Sequence, residues 1–222
     1  MEFSSLVFLF RFMPVVFLYY LLPDRFKNPL LLIASVVFYA FGEPFYIFLI
    51  LISVSGNYLA VRVMDYIEGE KKKKIWLGAL VFINVGVLLF FKYTPYTMPL
   101  GMSFYTFTVL SYILDVYFGH APAEQSFVDA GVYMMMFPKM ISGPIARYGA
   151  VRKQIKEHTV SLSDMEAGAA VFIVGFGFKM VLADHFGMLW HDIRSAGFDS
   201  ISTALAWLGV AGYSAQLFFD FQ

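Results

Sequence analysis

The chain has 222 residues, of which 59% are hydrophobic, 19% aromatic and only 14% charged, with a mean hydropathy of +0.69 and zero formal net charge. A soluble domain carries about a quarter charged residues, and this apolar content would overfill a single core, so an ordinary soluble domain is excluded and lipid is the missing partner. Balanced charge gives no electrostatic case for nucleic acid, and the absence of cysteine excludes disulfides, Cys-ligated zinc and a cysteine nucleophile.

The opening MEFSSLVFLFRFMP has neither a basic leader region nor a small-x-small cleavage site, so it reads as a retained first helix. Leu6 to Leu22 is apolar except for Arg11, and Pro23-Asp24 closes it. Leu30 to Phe41 is short for a crossing, since about 20 residues traverse the hydrocarbon. It runs obliquely or forms a hairpin with Phe45 to Val61 across Gly42-Glu43-Pro44. Arg62 to Lys74 reads as a charged connection ending in four lysines, Ile75 to Phe91 as the clearest span, and Leu100 to Phe118 as a span rich in Ser, Thr and Tyr. Residues 119–166 differ in character. One apolar patch, Val132 to Ile141, is interrupted by Pro138-Lys139 and followed by Gly143-Pro144 and a basic run, Arg147 to Lys156. This predicts re-entrant or interfacial structure leading into an amphipathic surface segment. Ser161 to Glu166 caps the next helix, Ala167 to Ala183 spans, Asp184 to Ser200 connects, and Ile201 to Phe219 is the last span. The expected fold is therefore all-α and polytopic, with spans near 6–22, 30–41, 45–61, 75–91, 100–118, 167–183 and 201–219.

The charges test this layout. Alternate connections, beginning with 23–29, hold 12 of the 16 Lys and Arg residues and the others hold 2, with Arg11 and Lys179 inside spans. The positive-inside bias then places the N-terminus outside and both the tetralysine and residues 119–166 in the cytoplasm.

Polar side chains within spans are costly unless partnered, so each marks packing or a site. Tyr105, Thr108, Tyr112 and Asp115 share one helix face by their spacing, as do Gly209, Tyr213, Gln216 and Asp220. Two readings fit: a hydrated path between the stripes, or ordinary interhelical hydrogen bonding. The Pro138-Lys139 and Gly143-Pro144 pairs predict a helix break, either a site or an interfacial turn with Lys139 snorkelling. Lys71 to Lys74 reads as a topology determinant or as an anionic-lipid contact. The four histidines, His120, His158, His185 and His191, lack any acid–base or metal motif. From these residues alone, a transporter and a membrane enzyme both fit.

Several motifs carry a family resemblance. The N-terminal segment through LLLIASVVFYAFGEP, then FFKY at Phe90 to Tyr93, LGMSFYTFTVLSYILDVYFG at Leu100 to Gly119, FPKMISGPIARY at Phe137 to Tyr148 and GYSAQLFFDF at Gly212 to Phe221 occur in order along the whole chain. Together they resemble the membrane-bound O-acyltransferase family, in its bacterial branch typified by the alginate O-acetyltransferase membrane subunit. The resemblance implies transfer of an acyl group, through a tunnel in the membrane domain, from a cytoplasmic donor to hydroxyls of an extracytoplasmic polysaccharide. The implied partners are membrane lipid, acetyl-CoA or an acyl carrier as cosubstrate, and the polysaccharide or its periplasmic or extracellular acetylation protein. No bound cofactor or metal is implied, and the setting is the inner or plasma membrane. The family's active-site histidine and its WRRWH-like motif lie beyond the FFDF segment, and none of the four histidines here matches them. This chain is thus expected to be an N-terminal portion, inactive by itself, serving as scaffold and tunnel wall. The expected polar-path residues are Tyr105, Tyr112, Asp115, Lys139, Gln216 and Asp220.

Overall fold

The computed structural model describes residues 6–141, 143–158, 161–197 and 200–221, without the side chains of residues 6–13 and 162. Arg11 as a side chain and the first five residues therefore lie outside the described part. Every regular element among the described residues is helical. In order they are α1 (Leu6–Leu21), α2 (Asp24–Gly42), α3 (Tyr46–Tyr66), α4 (Glu70–Tyr93), α5 (Met102–Tyr117), α6 (Phe127–Met135), α7 (Phe137–Met140), α8 (Tyr148–Lys156), α9 (Leu162–Gly177), a π-helical stretch Phe178–Ala183, α10 (Asp184–Ser195) and α11 (Thr203–Phe221).

Among the described residues three helices are long and apolar enough to cross a membrane: Tyr46–Tyr66, Glu70–Tyr93 and the uninterrupted Ser163–Ser195. Large apolar side chains such as Phe48, Ile52, Phe82, Ile83, Val171 and Ile173 stand exposed on them. Apolar surface of this extent is stable in lipid and not in water. The protein is an all-α membrane protein.

Several helices outrun the apolar runs that announced them. α2 starts at Asp24, six residues before the apolar stretch, and the tetralysine belongs to the first turns of α4, so the connection between α3 and α4 shrinks to 67–69. The sequence reading of residues 184–200 as a connection is corrected, because residues 184–195 are helical and continue α9 through the π stretch. Hydropathy ends where charge begins, whereas the backbone ladder continues into the headgroup zone, where charged side chains meet water.

The chain divides into two units, Phe12–His158 and Met1–Arg11 with Thr159–Gln222. In the larger unit α5 is central. Its buried residues Tyr105, Val109, Tyr112 and Ile113 pack among Ile50, Val54 and Val61 of α3 and Met134 and Met135 of α6. Because lipid is as apolar as these side chains, polar contacts contribute much of the specificity. Asn57 of α3 and Asn84 of α4 exchange amide hydrogen bonds of 3.1 and 2.8 Å, and Tyr105 donates to Ser53 at 2.8 Å.

In the smaller unit, Ser161 caps α9 with a reciprocal pair. Its hydroxyl accepts from the Asp164 amide at 3.2 Å, and the Asp164 carboxylate accepts from the Ser161 amide at 2.9 Å. α10 lies along α11, where Gly209 and Gly212 leave room for Ile193, Trp190 and Leu189.

Candidate functional site

The α5 stripe is wholly buried, and each member has a partner or a packed surrounding. Below Tyr105 in the chain, the Tyr112 hydroxyl accepts from the Glu124 amide at 3.0 Å. Asp115 accepts from the Gly149 amide at 2.9 Å through Oδ2, and its Oδ1 lies 3.4 Å from His120 Nδ1. The main-chain oxygen of Asp115 also accepts from the His120 amide at 2.9 Å. The stripe therefore ties the end of α5 to the following loop and to the start of α8.

The strongest charge in this region is one that sequence reasoning missed. Glu124 is 1% exposed. Its carboxylate accepts from the Tyr148 hydroxyl at 2.7 Å, from Lys156 at 2.8 Å and from the amides of Gln125 and Ser126 at 2.9 and 3.3 Å, with Arg152 Nε at 3.5 Å. Burial raises its pKa, but Lys156, Tyr148 and the two amides outweigh that and hold the carboxyl below the usual glutamate range. The rings of Tyr112, Tyr133 and Tyr148 close over it with centroids 4.7 to 6.3 Å apart. α8, the basic run Arg147 to Lys156, is thus clamped from beneath by one buried anion. A lone acid in APAEQS followed by lysine and arginine about 30 residues later was the available signal.

The expected helix break is present. α6 ends at Met135, Met136 leaves helical geometry, and Pro138 sits at the start of α7. The Phe137 amide freed by the break donates to Ser35 of α2 at 3.1 Å, and that hydroxyl donates on to Leu31 O at 2.6 Å. Gly143 folds back over α7, its amide donating to Lys139 O at 2.9 Å, and a Cβ there would collide with Lys139 Cα. Lys139 is half-buried, with its ammonium 4.0 Å from the centroid of the Tyr133 ring. Among the described residues no carboxylate pairs with it, so the ring quadrupole is its electrostatic partner.

Gln216 and Asp220 belong to the smaller unit and have partners there. Lys179 of the π stretch bridges Asp184 at 2.8 Å and Asp220 at 2.7 Å. Gln216 packs over Gly187, and Tyr213 faces Trp190 with ring centroids 5.2 Å apart. The six expected path residues therefore divide, four in the larger unit and two in the smaller. Of the histidines, His158 lies 3.1 Å from the Tyr19 hydroxyl, while His185 and His191 are exposed on α10. Among the described residues no three His, Asp or Glu side chains converge as metal ligands would.

Comparison with known proteins adds to this geometry. No family model matches the chain, and no solved structure matches it. Seven curated relatives do. A probable alginate O-acetylase AlgI of Pseudomonas syringae pv. tomato is 34% identical over 100% of this chain and 47% of its own length. A peptidoglycan O-acetyltransferase of Helicobacter pylori is 29% identical over 99% of the chain and 51% of its own length. A teichoic acid D-alanyltransferase of Lacticaseibacillus rhamnosus is 28% identical over 69% of the chain and 42% of its own length. The chain spans about half the length of the curated relatives it matches. Along the whole of its length, and on a helical membrane scaffold, this chain is thus similar to the bacterial alginate O-acetylases over about half of their length.

Proposed function

We propose that this chain supplies part of a membrane O-acyltransferase, an O-acetyltransferase in its reaction, acting on hydroxyls of an extracytoplasmic polysaccharide. The observation that carries the reading is its full-length similarity to proteins named for acyl transfer to alginate and peptidoglycan, with a D-alanyltransferase of teichoic acid as a further relative. In the reaction the acyl carbon leaves the donor's sulfur for an acceptor oxygen, and the hydroxyl proton passes to a base. The donor is acetyl-CoA or an acyl carrier on the cytoplasmic side. The six path residues serve as framework. Tyr105, Tyr112, Asp115, Gln216 and Asp220 hold helices together, and Lys139 places a cation at the α6–α7 break.

The test is transfer of labelled acetyl to polysaccharide in membranes carrying the 222-residue chain, compared with membranes carrying the chain joined to the remaining half of a relative. General acid–base assistance is worth about 100- to 10,000-fold, so the chain alone should fall at least about 100-fold below the joined form. Activity within about tenfold of the joined form would overturn the framework role and bring the four histidines back as bases.

The orientation we propose has the N-terminus outside, seven crossings of the inner or plasma membrane, and the starts of α4 and α8 in the cytoplasm. The uneven distribution of basic residues supports it. The chain lacks cysteine, so single cysteines at Lys72 and Lys153 report directly. An impermeant thiol reagent should label both only after cells are opened, and labelling of both in intact cells would reverse the orientation.

A further inference from the structure

α4 turns Leu80, Asn84, Leu88 and Phe91 inward and leaves its other face outward. That outer face is not smooth. A groove of about 500 Å³ runs along it, its lining including Lys74, Gly78, Phe82, Val85, Gly86 and Leu89. Gly78 and Gly86 form its floor, and a Cβ at either would meet nothing within 4 Å. The residues from Lys74 to Leu89 rise about 22 Å along the helix, more than the roughly 15 Å depth of one hydrocarbon leaflet.

The charged end of this groove is unusual. Lys71, Lys72, Lys73 and Lys74 occupy the first turns of α4, where the helix end already carries partial positive charge and acidic residues are favoured. Glu68 and Glu70 offset only two of the four cations. Among the described residues none of the four lysines has an ion-pair partner. An apolar channel long enough to cross one leaflet, beginning at an unneutralised cluster of cations, complements the shape and charge of a phospholipid with an anionic headgroup. The geometry points to a binding site on α4 for an anionic phospholipid, its phosphate on the tetralysine and one acyl tail along Gly78 and Gly86. A juxtamembrane lysine gains about 1 kcal/mol from an anionic leaflet, and four of them on one turn concentrate that gain where a tail can follow it.

The site is read out with the full chain in phosphatidylcholine vesicles. A single cysteine replacing Phe82 carries a bimane, and the vesicles contain either brominated phosphatidylglycerol or brominated phosphatidylcholine at equal mole fraction. Phosphatidylglycerol should be enriched about fivefold at the fluorophore. K71Q/K72Q/K73Q/K74Q should abolish that preference, and G78L/G86L, which fills the groove and keeps the lysines, should reduce it by more than half. Lys71, Lys72 and Lys74 are exposed, Lys73 is half-buried, and Gly78 and Gly86 have open space at their Cβ positions, so the helical circular dichroism of both variants should match that of the parent. Equal quenching by the two lipids, or a preference that survives either variant, overturns the site. Quenching by neither lipid overturns it as well, and shows that the groove is covered by protein, such as a second copy of the chain.

Discussion

Replacing Glu124 by alanine should destabilise the larger unit by about 2–3 kcal/mol and release α8 to protease. Removing one partner from a fully buried ion pair costs about 3–5 kcal/mol, because the other charge is left in a low-dielectric site. Here the side chains of Lys156 and Arg152 are 35% and 33% exposed, so both cations can rehydrate, which trims the cost. The Tyr148 hydroxyl and the Gln125 and Ser126 amides lose their acceptor as well. E124Q preserves a hydrogen-bond acceptor and should lose about half as much. Denaturant unfolding in detergent, with tryptic cleavage at Arg152 and Lys153 as a local readout, decides the point. An E124A variant within about 0.5 kcal/mol of the parent would mean that α8 is held by its apolar face alone. The same carboxylate sets a pH dependence. Its folded pKa lies below the ordinary value of 4.5, so its contribution is complete above that pH and is lost as pH falls through the folded value. The parent should release α8 in acid while E124Q shows no such step from this group.

The second large effect is expected at Gly101, which precedes α5. It adopts φ +71°, and a Cβ there would collide with the main-chain oxygen of Met140 at the end of α7. Alanine must pay for left-handed geometry, about 1–2 kcal/mol, and must push a backbone carbonyl aside for a similar amount. G101A should therefore cost about 3 kcal/mol. G56A is the control. Gly56 lies within α3 with nothing within 4 Å of its virtual Cβ, so alanine should be neutral or stabilising by up to about 1 kcal/mol. Equal stability of the two variants in the same detergent titration would show that the α5–α7 approach is slack.

What the sequence made legible follows from how far each signal reaches along the chain. Apolar runs overlap the three helices that are long and apolar enough to cross a membrane, since hydropathy is a local property. Spacing placed Tyr105, Thr108, Tyr112 and Asp115 on one face, since helical period is local too, and two prolines announced the α6–α7 break. Partners were another matter. Ser35 meets Phe137 and Asn28 meets Asp129 across about 100 residues, and no local pattern encodes such contacts. Glu124 escaped notice for the same reason, because its burial depends on Tyr148 and Lys156, which arrive from another helix. Residues 184–195 were misread because Asp184, His185, His191 and Arg194 end the apolar run without ending the hydrogen-bond ladder.

The π stretch at Phe178–Ala183 has a consequence for how the two ends of its long helix are compared. On an α-helix, residues five apart point about 140° away from each other, so Lys179 and Asp184 would diverge. The wider turn sets them side by side at 2.8 Å. One residue added to a helical turn slips the phase of everything after it by about 100°. Gly187, Leu189, Trp190 and Ile193 face α11 only in that slipped phase. A heptad or moment drawn straight through residues 163–195 averages two incompatible frames and dilutes both. Excision of a single residue between Lys179 and Ala183 would close the turn to α-helical width, bring Lys179 and Asp184 to the i,i+4 spacing of an ordinary helix, and leave α10 in the phase that faces α11.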